Sequence, residues 1–462
     1  MPGKKIFILL PDGVGLRNFA YTNFYELGRK MGFEIVFWNK TDFDLQELGF
    51  EQVKIHSSKL HPLTDILKKA ANFIELKSSA KKWNDSVYLT YIFPLPYKTF
   101  SDRIKRLAVK YYVFRYRNSL GRLRRRIQAL ESATDYFRQC VETLQREKPA
   151  LVFCTNQRIV HAIAPMEAAK RLGIPTATFI FSWDNLPKAT KLIDADYNFV
   201  WSEHMKNELL KYYPATDADK TLVTGTPQFE AHYNALLLEP RQEFLLSHGL
   251  ATDKKYICFS GDDITTSPHD PTYLSDVAAA VRSLNSKGHN LGIIFRRCPV
   301  DFSTRFDSVL ENNRDLITAI SPEWKSIGEQ WNAVLPTRED LKLQMNTIAS
   351  SEMVINLGSS MVFDFAAQGK PCGFINYNIN GSPTDWSVEK IYNYVHFRSM
   401  PDECAVFWLN SPDEIEAKIK QALERPGFHL PYAREWFEKI NMQPADKASE
   451  RIWNCISKIV GQ

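Results

Sequence analysis

The sequence predicts an α/β protein built from two doubly wound halves. Short apolar runs alternate with stretches of helical periodicity, and this alternation stops and restarts once, around residues 225–250. Apolar run, turn, helix, apolar run is the pattern of a parallel β-sheet. The 462 residues are 44% hydrophobic and 24% charged, ordinary values for folded domains, and the length allows two large cores.

In the first half, Lys5–Leu10 is an apolar run that ends in the turn Pro11-Asp12-Gly13-Val14-Gly15. A helix is predicted from about Phe19 to Lys30, followed by a strand at Glu34–Trp38. Further strands are predicted at Ala150–Cys154, Thr176–Phe181, Tyr197–Trp201 and Leu222–Thr224. The helix between the first two of these ends at Arg171-Leu172-Gly173-Ile174-Pro175, a glycine cap with a proline stop. Residues of about 56–147 break the rhythm. Trp83, Tyr88, Tyr91, Phe93 and Tyr97 surround Pro94 and Pro96, and long basic helical sequence follows. This stretch is expected to be an insertion decorating a first domain of residues 1–238. Thr224-Gly225-Thr226-Pro227 marks the break. A second domain of residues 250–440 then opens with the strand Tyr256–Ser260 and the loop Gly261-Asp262-Asp263. Helices at 272–287, 339–350, 361–369 and 412–424 alternate with strands at 291–296, 353–356 and 372–375. A last helix within 441–462 is free to pack back on the first domain. Ligands of doubly wound sheets bind beyond the carboxyl ends of the strands, here in a central cleft that the two domains are expected to face.

No stretch approaches the roughly 20 apolar residues of a membrane-spanning helix. The N-terminal apolar run is cut off by Pro11-Asp12-Gly13 and lacks a cleavage site of small residues, so it reads as a buried strand rather than a signal peptide. Seven widely spaced cysteines without a C-x-x-C pattern suggest reduced, mostly buried thiols, and the cytoplasm as compartment.

The net charge of +5 is local. Arg103–Leu130 holds ten Lys and Arg and no acid, leaving 48 basic against 53 acidic residues elsewhere. Ile104, Leu107, Tyr111 and Phe114 recur there at helical spacing, as do Leu120, Leu123, Ile127 and Leu130. A basic amphipathic helix with aromatics suits an anionic membrane surface, so the expected site of action is cytoplasmic, peripheral at the inner face of the cell membrane. A solvated helical hairpin is the plain alternative. No nucleic-acid module accompanies the cations, and nucleic acid is not expected as a partner.

The most specific stretch is Val354-Ile355-Asn356-Leu357-Gly358-Ser359-Ser360, continued by a helix with Asp364 and the stop Gly369-Lys370-Pro371. An apolar strand feeds a turn of glycine and two serines that opens a helix. Backbone N–H groups at a helix start lack internal partners and favour anions, and the two hydroxyls add donors for a phosphate. Asp364 lies one turn after Ser360, where a carboxylate can hold two ribose hydroxyls. A second feature is the strand Leu291–Arg296 followed by Arg297-Cys298-Pro299, which sets two guanidinium groups at the sheet edge, suited to bidentate phosphate contact.

The stretch 350–375 resembles the donor-binding motif of GT-B glycosyltransferases and their relatives, the sugar-nucleotide 2-epimerases and glycerol-phosphate polymerases. The resemblance is looser over 150–230 and absent over 56–147. It implies a GT-B fold of two Rossmann-like domains. It also implies a nucleotide-sugar donor held by Gly358, Ser359, Ser360, Asp364 and Arg296 or Arg297. Asp364 stands where many relatives have glutamate, and Cys298 where similar enzymes have histidine. The implied reaction moves the sugar to an acceptor hydroxyl on a glycan or lipid-linked acceptor, in cell-surface glycan, glycolipid or glycoprotein synthesis. Neither cofactor nor metal is expected, because the cradle itself can neutralise the leaving diphosphate. On the acceptor side, Asp12 is a candidate general base, with Arg17 and Asn18 in the same loop as substrate contacts. After the strand Thr176–Phe181, Trp183 can stack on a sugar, Asn185 can bond its hydroxyls, and Asp184 is a second candidate acid. Asp194-Ala195-Asp196 is formally a D-x-D but sits before a strand, and a metal role is rejected. The alternatives are a UDP-sugar 2-epimerase, which needs a histidine that the second half does not obviously supply, and a GT-B-like donor-binding protein without catalysis.

Overall fold

The computed structural model describes residues 4–326, 334–381 and 386–461. The chain divides into two compact units, Met1–Gly225 with Ala448–Gln462, and Thr226–Lys447.

Unit 1 is built on seven parallel strands: β1 (Lys5–Leu10), β2 (Glu34–Asn39), β3 (Gln52–Lys54), β4 (Leu151–Cys154), β5 (Thr176–Phe179), β6 (Tyr197–Val200) and β7 (Thr221–Val223). Their order is β3-β2-β1-β4-β5-β6-β7. β1 pairs on both sides, Phe7 lying opposite Val36 and Val152, and Ile6–Leu10 are all buried. Burial on both faces is why β1 reads as an unbroken apolar run rather than an alternating one. The order reverses between β1 and β4, the switch point where such sheets open a crevice at their carboxyl ends.

The expected single helix from Phe19 to Lys30 is two, Gly15–Phe19 and Asn23–Lys30, because Thr22 accepts the Phe24 N–H and caps a fresh start. Residues 56–147 do not decorate the domain. They supply helices Thr64–Lys82, Phe100–Tyr116, Leu120–Glu131 and Asp135–Glu147 between β3 and β4. Leu67, Ile74, Leu123, Ile127, Phe137 and Leu144 share one core with Phe7, Trp38 and Val152 of the sheet. The C-terminal helix Ala448–Val460 also belongs to unit 1. Its Trp453 stacks on Phe24 and Phe33, with ring centroids 4.7 and 4.9 Å away, and donates to the Phe24 carbonyl at 2.7 Å.

Unit 2 repeats the plan. Its strands are β8 (Lys255–Ser260), β9 (Leu291–Arg296), β10 (Ile317–Ile320), a short antiparallel pair β11 (Lys325–Ser326) and β12 (Val334–Leu335), then β13 (Ser351–Asn356), β14 (Cys372–Ile375) and β15 (Phe407–Leu409). The main sheet is parallel throughout in the order β10-β9-β8-β13-β14-β15, with its switch point between β8 and β13. The chain is therefore an α/β protein with two doubly wound parallel sheets. Among the described residues no helix is long and apolar enough to cross a membrane.

Candidate functional site

In unit 2 the candidate residues gather around the switch point. β13 ends at Asn356, whose buried side chain accepts the Ser359 N–H at 2.9 Å and so folds Gly358-Ser359-Ser360 into a tight turn. Gly358 sits at φ +64°, a left-handed conformation that glycine adopts freely. The helix that follows, Met361–Ala367, has only seven residues. Most of its opening N–H groups are answered internally. Ser359 accepts from Met361 through its hydroxyl and from Val362 through its carbonyl, and the Ser360 carbonyl accepts from Phe363. The expected row of free N–H groups is thus corrected. What the turn can offer an anion is the Ser359 and Ser360 hydroxyls and the Ser360 N–H, all in half-buried residues.

Asp364 is only 3% exposed, and its Oδ1 lies 2.8 Å from Nε2 of His232, itself buried. His232 belongs to the short helix Pro227–Tyr233, and Gln368 donates to its backbone carbonyl at 2.7 Å. Reasoning from the sequence missed this histidine: it stands in a polar stretch 132 positions from its partner, with no periodicity to mark it. Lys370, burial pushing its pKa down to about 8, donates to the carbonyls of Ile348 and Ala349 at 2.7 Å and to that of Ser351. It thereby closes the carboxyl end of helix Arg338–Ser350, a structural role for the middle residue of the Gly-Lys-Pro stop.

The two arginines differ. Arg296 is buried at the end of β9 and donates to Asp340 at 2.8 Å through Nη2, while its buried Nη1 has no hydrogen-bond partner among the described residues. Asp340 is further held by the Glu323 N–H and the Trp324 indole. Arg297 is half-buried, donates to the Ser303 carbonyl and lies against the Phe306 ring. Neither guanidinium is a free phosphate clamp. Arg296 alone keeps a buried donor in reserve. The Gly261-Asp262-Asp263 loop caps its neighbourhood: Asp270 accepts the Asp262 N–H at 2.6 Å, and Arg305 binds Asp301 and the Ser267 carbonyl. Burial, with Asp263 and Asp270 beside it, pushes Asp262 up to about 8, and burial pushes Asp270 up to about 7.

In unit 1, Asp12 stands just beyond the carboxyl end of β1, 3% exposed. It accepts the Val14 N–H at 3.2 Å and the side-chain amide of Asn156 at 2.8 Å, so it bridges the ends of β1 and β4 at their switch point. Burial raises its pKa above the ordinary carboxylate value, although Asn156, the Val14 and Gly15 N–H groups and Arg158 pull it down. A carboxyl so poised is suited to general-base work. Arg17 is half-buried one turn on, and Asn18 is buried, its carbonyl accepting from the Thr22 hydroxyl.

The Ser182–Asn185 turn is more structural than expected. Trp183 is buried, 7% exposed. Asn185 is buried between the Gln157 amide, at 3.1 Å, and Asp184, at 2.9 Å; Gln157 in turn accepts the Phe181 N–H. Asp184 is half-buried and paired with Lys188. These bonds lash the end of β4 to that of β5. Asp196 accepts both the N–H and the hydroxyl of Thr176, and Asp194 lies 3.7 Å from Lys170.

The basic segment forms helices Phe100–Tyr116 and Leu120–Glu131, the first opened by a capping box between Thr99 and Asp102. Its buried side is Val109 and Tyr116. Ile104, Leu107, Tyr111 and Phe114 face out, each more than half exposed. Arg124 is engaged, paired with Glu75 and set over the Tyr213 ring.

No family model matches this sequence, and no curated protein matches it. Solved structures do resemble it. The Staphylococcus aureus MnaA–UDP complex matches at TM-score 0.55 and 14% identity, over 99% of this chain and 97% of that one. A UDP-GlcNAc 2-epimerase from Methanocaldococcus jannaschii matches at TM-score 0.53 and 15% identity, over 98% and 99%. A glycosyltransferase from Rickettsia africae matches at TM-score 0.53 and 11% identity, over 100% and 99%. Likeness at such low identity carries the architecture alone, and over nearly the whole chain it agrees with the two parallel sheets. The chain has the GT-B fold that UDP-sugar epimerases and glycosyltransferases share.

Proposed function

We propose that this protein is a glycosyltransferase that moves a sugar from a nucleotide-activated donor to the hydroxyl of a glycan or lipid-linked acceptor. One observation carries the reading: a Gly-Ser-Ser turn folded by Asn356 at the switch point of the second sheet, with the buried acid Asp364 a turn away. The structures it resembles include a UDP complex, which supports a nucleotide-sugar ligand. The Ser359 and Ser360 hydroxyls hold the diphosphate, and the unpartnered Nη1 of Arg296 adds positive charge as the diphosphate leaves, without a metal. Asp364, held in place by His232, contacts the ribose. Asp12 removes the acceptor proton. Asn185, its amide taken up by Gln157 and Asp184, shapes the turn, and Asp184 ranks behind Asp12 because Lys188 already neutralises it.

The exposed apolar side of helix Phe100–Tyr116 and its cations support work at an anionic membrane surface, as a peripheral protein on the cytoplasmic face. A lipid-linked acceptor would be met there.

The test is a panel of UDP, GDP, CDP and TDP and their sugars, read by thermal shift and then by turnover. One nucleotide family should stabilise the protein, and Asp364→Ala should weaken that response while the far-UV spectrum stays native. A protein that no nucleotide stabilises is not this enzyme. Deuterium entering C2 of the donor sugar without any acceptor would identify an epimerase instead.

A further inference from the structure

Helix Phe100–Tyr116 turns three faces to three environments. Val109 and Tyr116 point into the core of unit 1, and Ile104, Leu107 and Tyr111 point to solvent. Between these faces runs a groove of about 700 Å³, bounded by this helix, helix Thr64–Lys82 and the segment around Ile92–Tyr97. That volume lies within the roughly 300–1,000 Å³ typical of small-molecule pockets. Its walls are apolar: Phe73, Ile92, Leu95, Val109 and Val113. Its rim is basic: Lys77, Arg106, Lys110 and Arg117 line it, all exposed, and no acid does. Among the described residues none of these four cations is paired with a carboxylate. Arg106 lies 5.9 Å from the Tyr97 ring and Arg117 4.7 Å from the Phe114 ring, so both guanidinium groups rest on aromatic walls of the mouth.

An apolar trough in water is costly unless something apolar covers it, and four like charges around its mouth repel one another unless an anion sits among them. One ligand class meets both demands: a long-chain lipid with a phosphate head. We infer that this groove binds one hydrocarbon chain of an anionic lipid phosphate, with Lys77, Arg106, Lys110 and Arg117 holding its head group. The exposed stripe extends the same apolar surface. Phe114 belongs to both groove and stripe, and Phe93 and Phe100, 84% and 79% exposed, flank them. A lipid can therefore slide from a leaflet into the groove without its chain crossing open water. The site rests on the reading of the protein as a membrane-facing transferase only in that this reading says why a lipid phosphate would be bound. The groove itself lies wholly within unit 1, apart from the nucleotide residues of unit 2.

The test uses the full chain and dodecyl phosphate below its micelle concentration, titrated by calorimetry, with dodecanol and inorganic phosphate as the two halves of the ligand. Saturable one-to-one binding of dodecyl phosphate is expected, with each half weaker by roughly tenfold or more. Val113→Trp, which fills the trough, should lower the affinity by a similar factor. Lys110→Ser with Arg117→Ser, two exposed positions outside the core, should do the same and keeps the test sound if the tryptophan variant does not fold. Equal binding of dodecanol, full competition by inorganic phosphate or by a short single-stranded RNA, or unchanged binding by the serine variant would overturn the inference. Nucleotide-induced thermal shift, measured in parallel, reports on the transferase reading separately: it should survive in every groove variant.

Discussion

Replacing Gly358 by alanine should cost roughly 2–3 kcal/mol of stability, because two effects coincide there. The first is backbone strain. At φ +64° an L-residue is disfavoured by about 1–2 kcal/mol. The second is contact. A Cβ on Gly358 would stand 3.0 Å from Phe397 Cζ and 3.2 Å from Ile391 Cγ2. Both neighbours are buried, so the turn itself must yield by a few tenths of an ångström, an overpacking effect of roughly 1 kcal/mol. Gly369 is the control. Its φ is +65°, and a Cβ there would meet nothing within 4 Å, so Gly369→Ala bears the first effect alone. Urea titration of both variants should show Gly358→Ala the weaker by about 1 kcal/mol. Thermal shift with the stabilising nucleotide should show the response lost in Gly358→Ala, whose serines have moved, and kept in Gly369→Ala. Equal destabilisation would refute the contact argument. A full nucleotide response from Gly358→Ala would refute the placement of the diphosphate on this turn.

Asp12→Asn should abolish turnover while leaving nucleotide binding unchanged. Because burial raises the Asp12 pKa and a base must be deprotonated, the acid limb of the wild-type pH profile should lie above about pH 4, the ordinary carboxylate value, and a profile flat through that range would remove Asp12 from the mechanism. Asp262 and Asp270, raised to about 8 and about 7, hold their protons more tightly folded than unfolded. Their stabilising contribution is complete below about pH 4 and is lost as pH rises through 7 and 8, so urea midpoints should fall across that window and Asp262→Asn should flatten the fall. Arg296→Ala strands Asp340 as a buried unpaired acid and should cost about 3–5 kcal/mol, against less than about 1 for Arg297→Ala; similar urea midpoints would contradict the burial difference. Serine at Leu107, Tyr111 and Phe114 together should reduce co-sedimentation with phosphatidylglycerol vesicles at high salt, where cation attraction is screened; unchanged sedimentation would make that stripe irrelevant to docking.

The long buried strands were legible in the sequence. β1, β9 and β14 match their apolar runs residue for residue, because a strand covered on both faces must be apolar throughout. The edge strands β3 and β15 were not; β3 is only partly buried and carries the polar Gln52 and Lys54. Helix Pro412–Glu424 was readable from its proline start, whereas Leu430–Ile440 was not, although Pro431 stands in its first turn in the same way. Of the candidate site, the chain gave away each turn at a strand's carboxyl end and not what each side chain does there. Asn185 sits where a substrate contact was expected, yet its buried amide is taken by Gln157, 28 positions away. His232 illustrates the same limit from the other side. A partner chosen across 132 positions leaves no local trace.

Trp453 has a consequence for how the chain is made. A Cβ on Gly28 would stand 2.2 Å from this indole, so the tryptophan occupies the space where another side chain of helix Asn23–Lys30 would be. Residues up to Gly225 leave the ribosome with that hollow unfilled, and more than two hundred further residues must be synthesised before its plug arrives. Through that interval Phe24 and Phe33 lack their largest ring partner, and the nascent first unit is open to chaperones or to a wrong partner. Shortening the chain by its last fifteen residues would therefore behave as a core deletion in the first unit rather than as trimming of a tail.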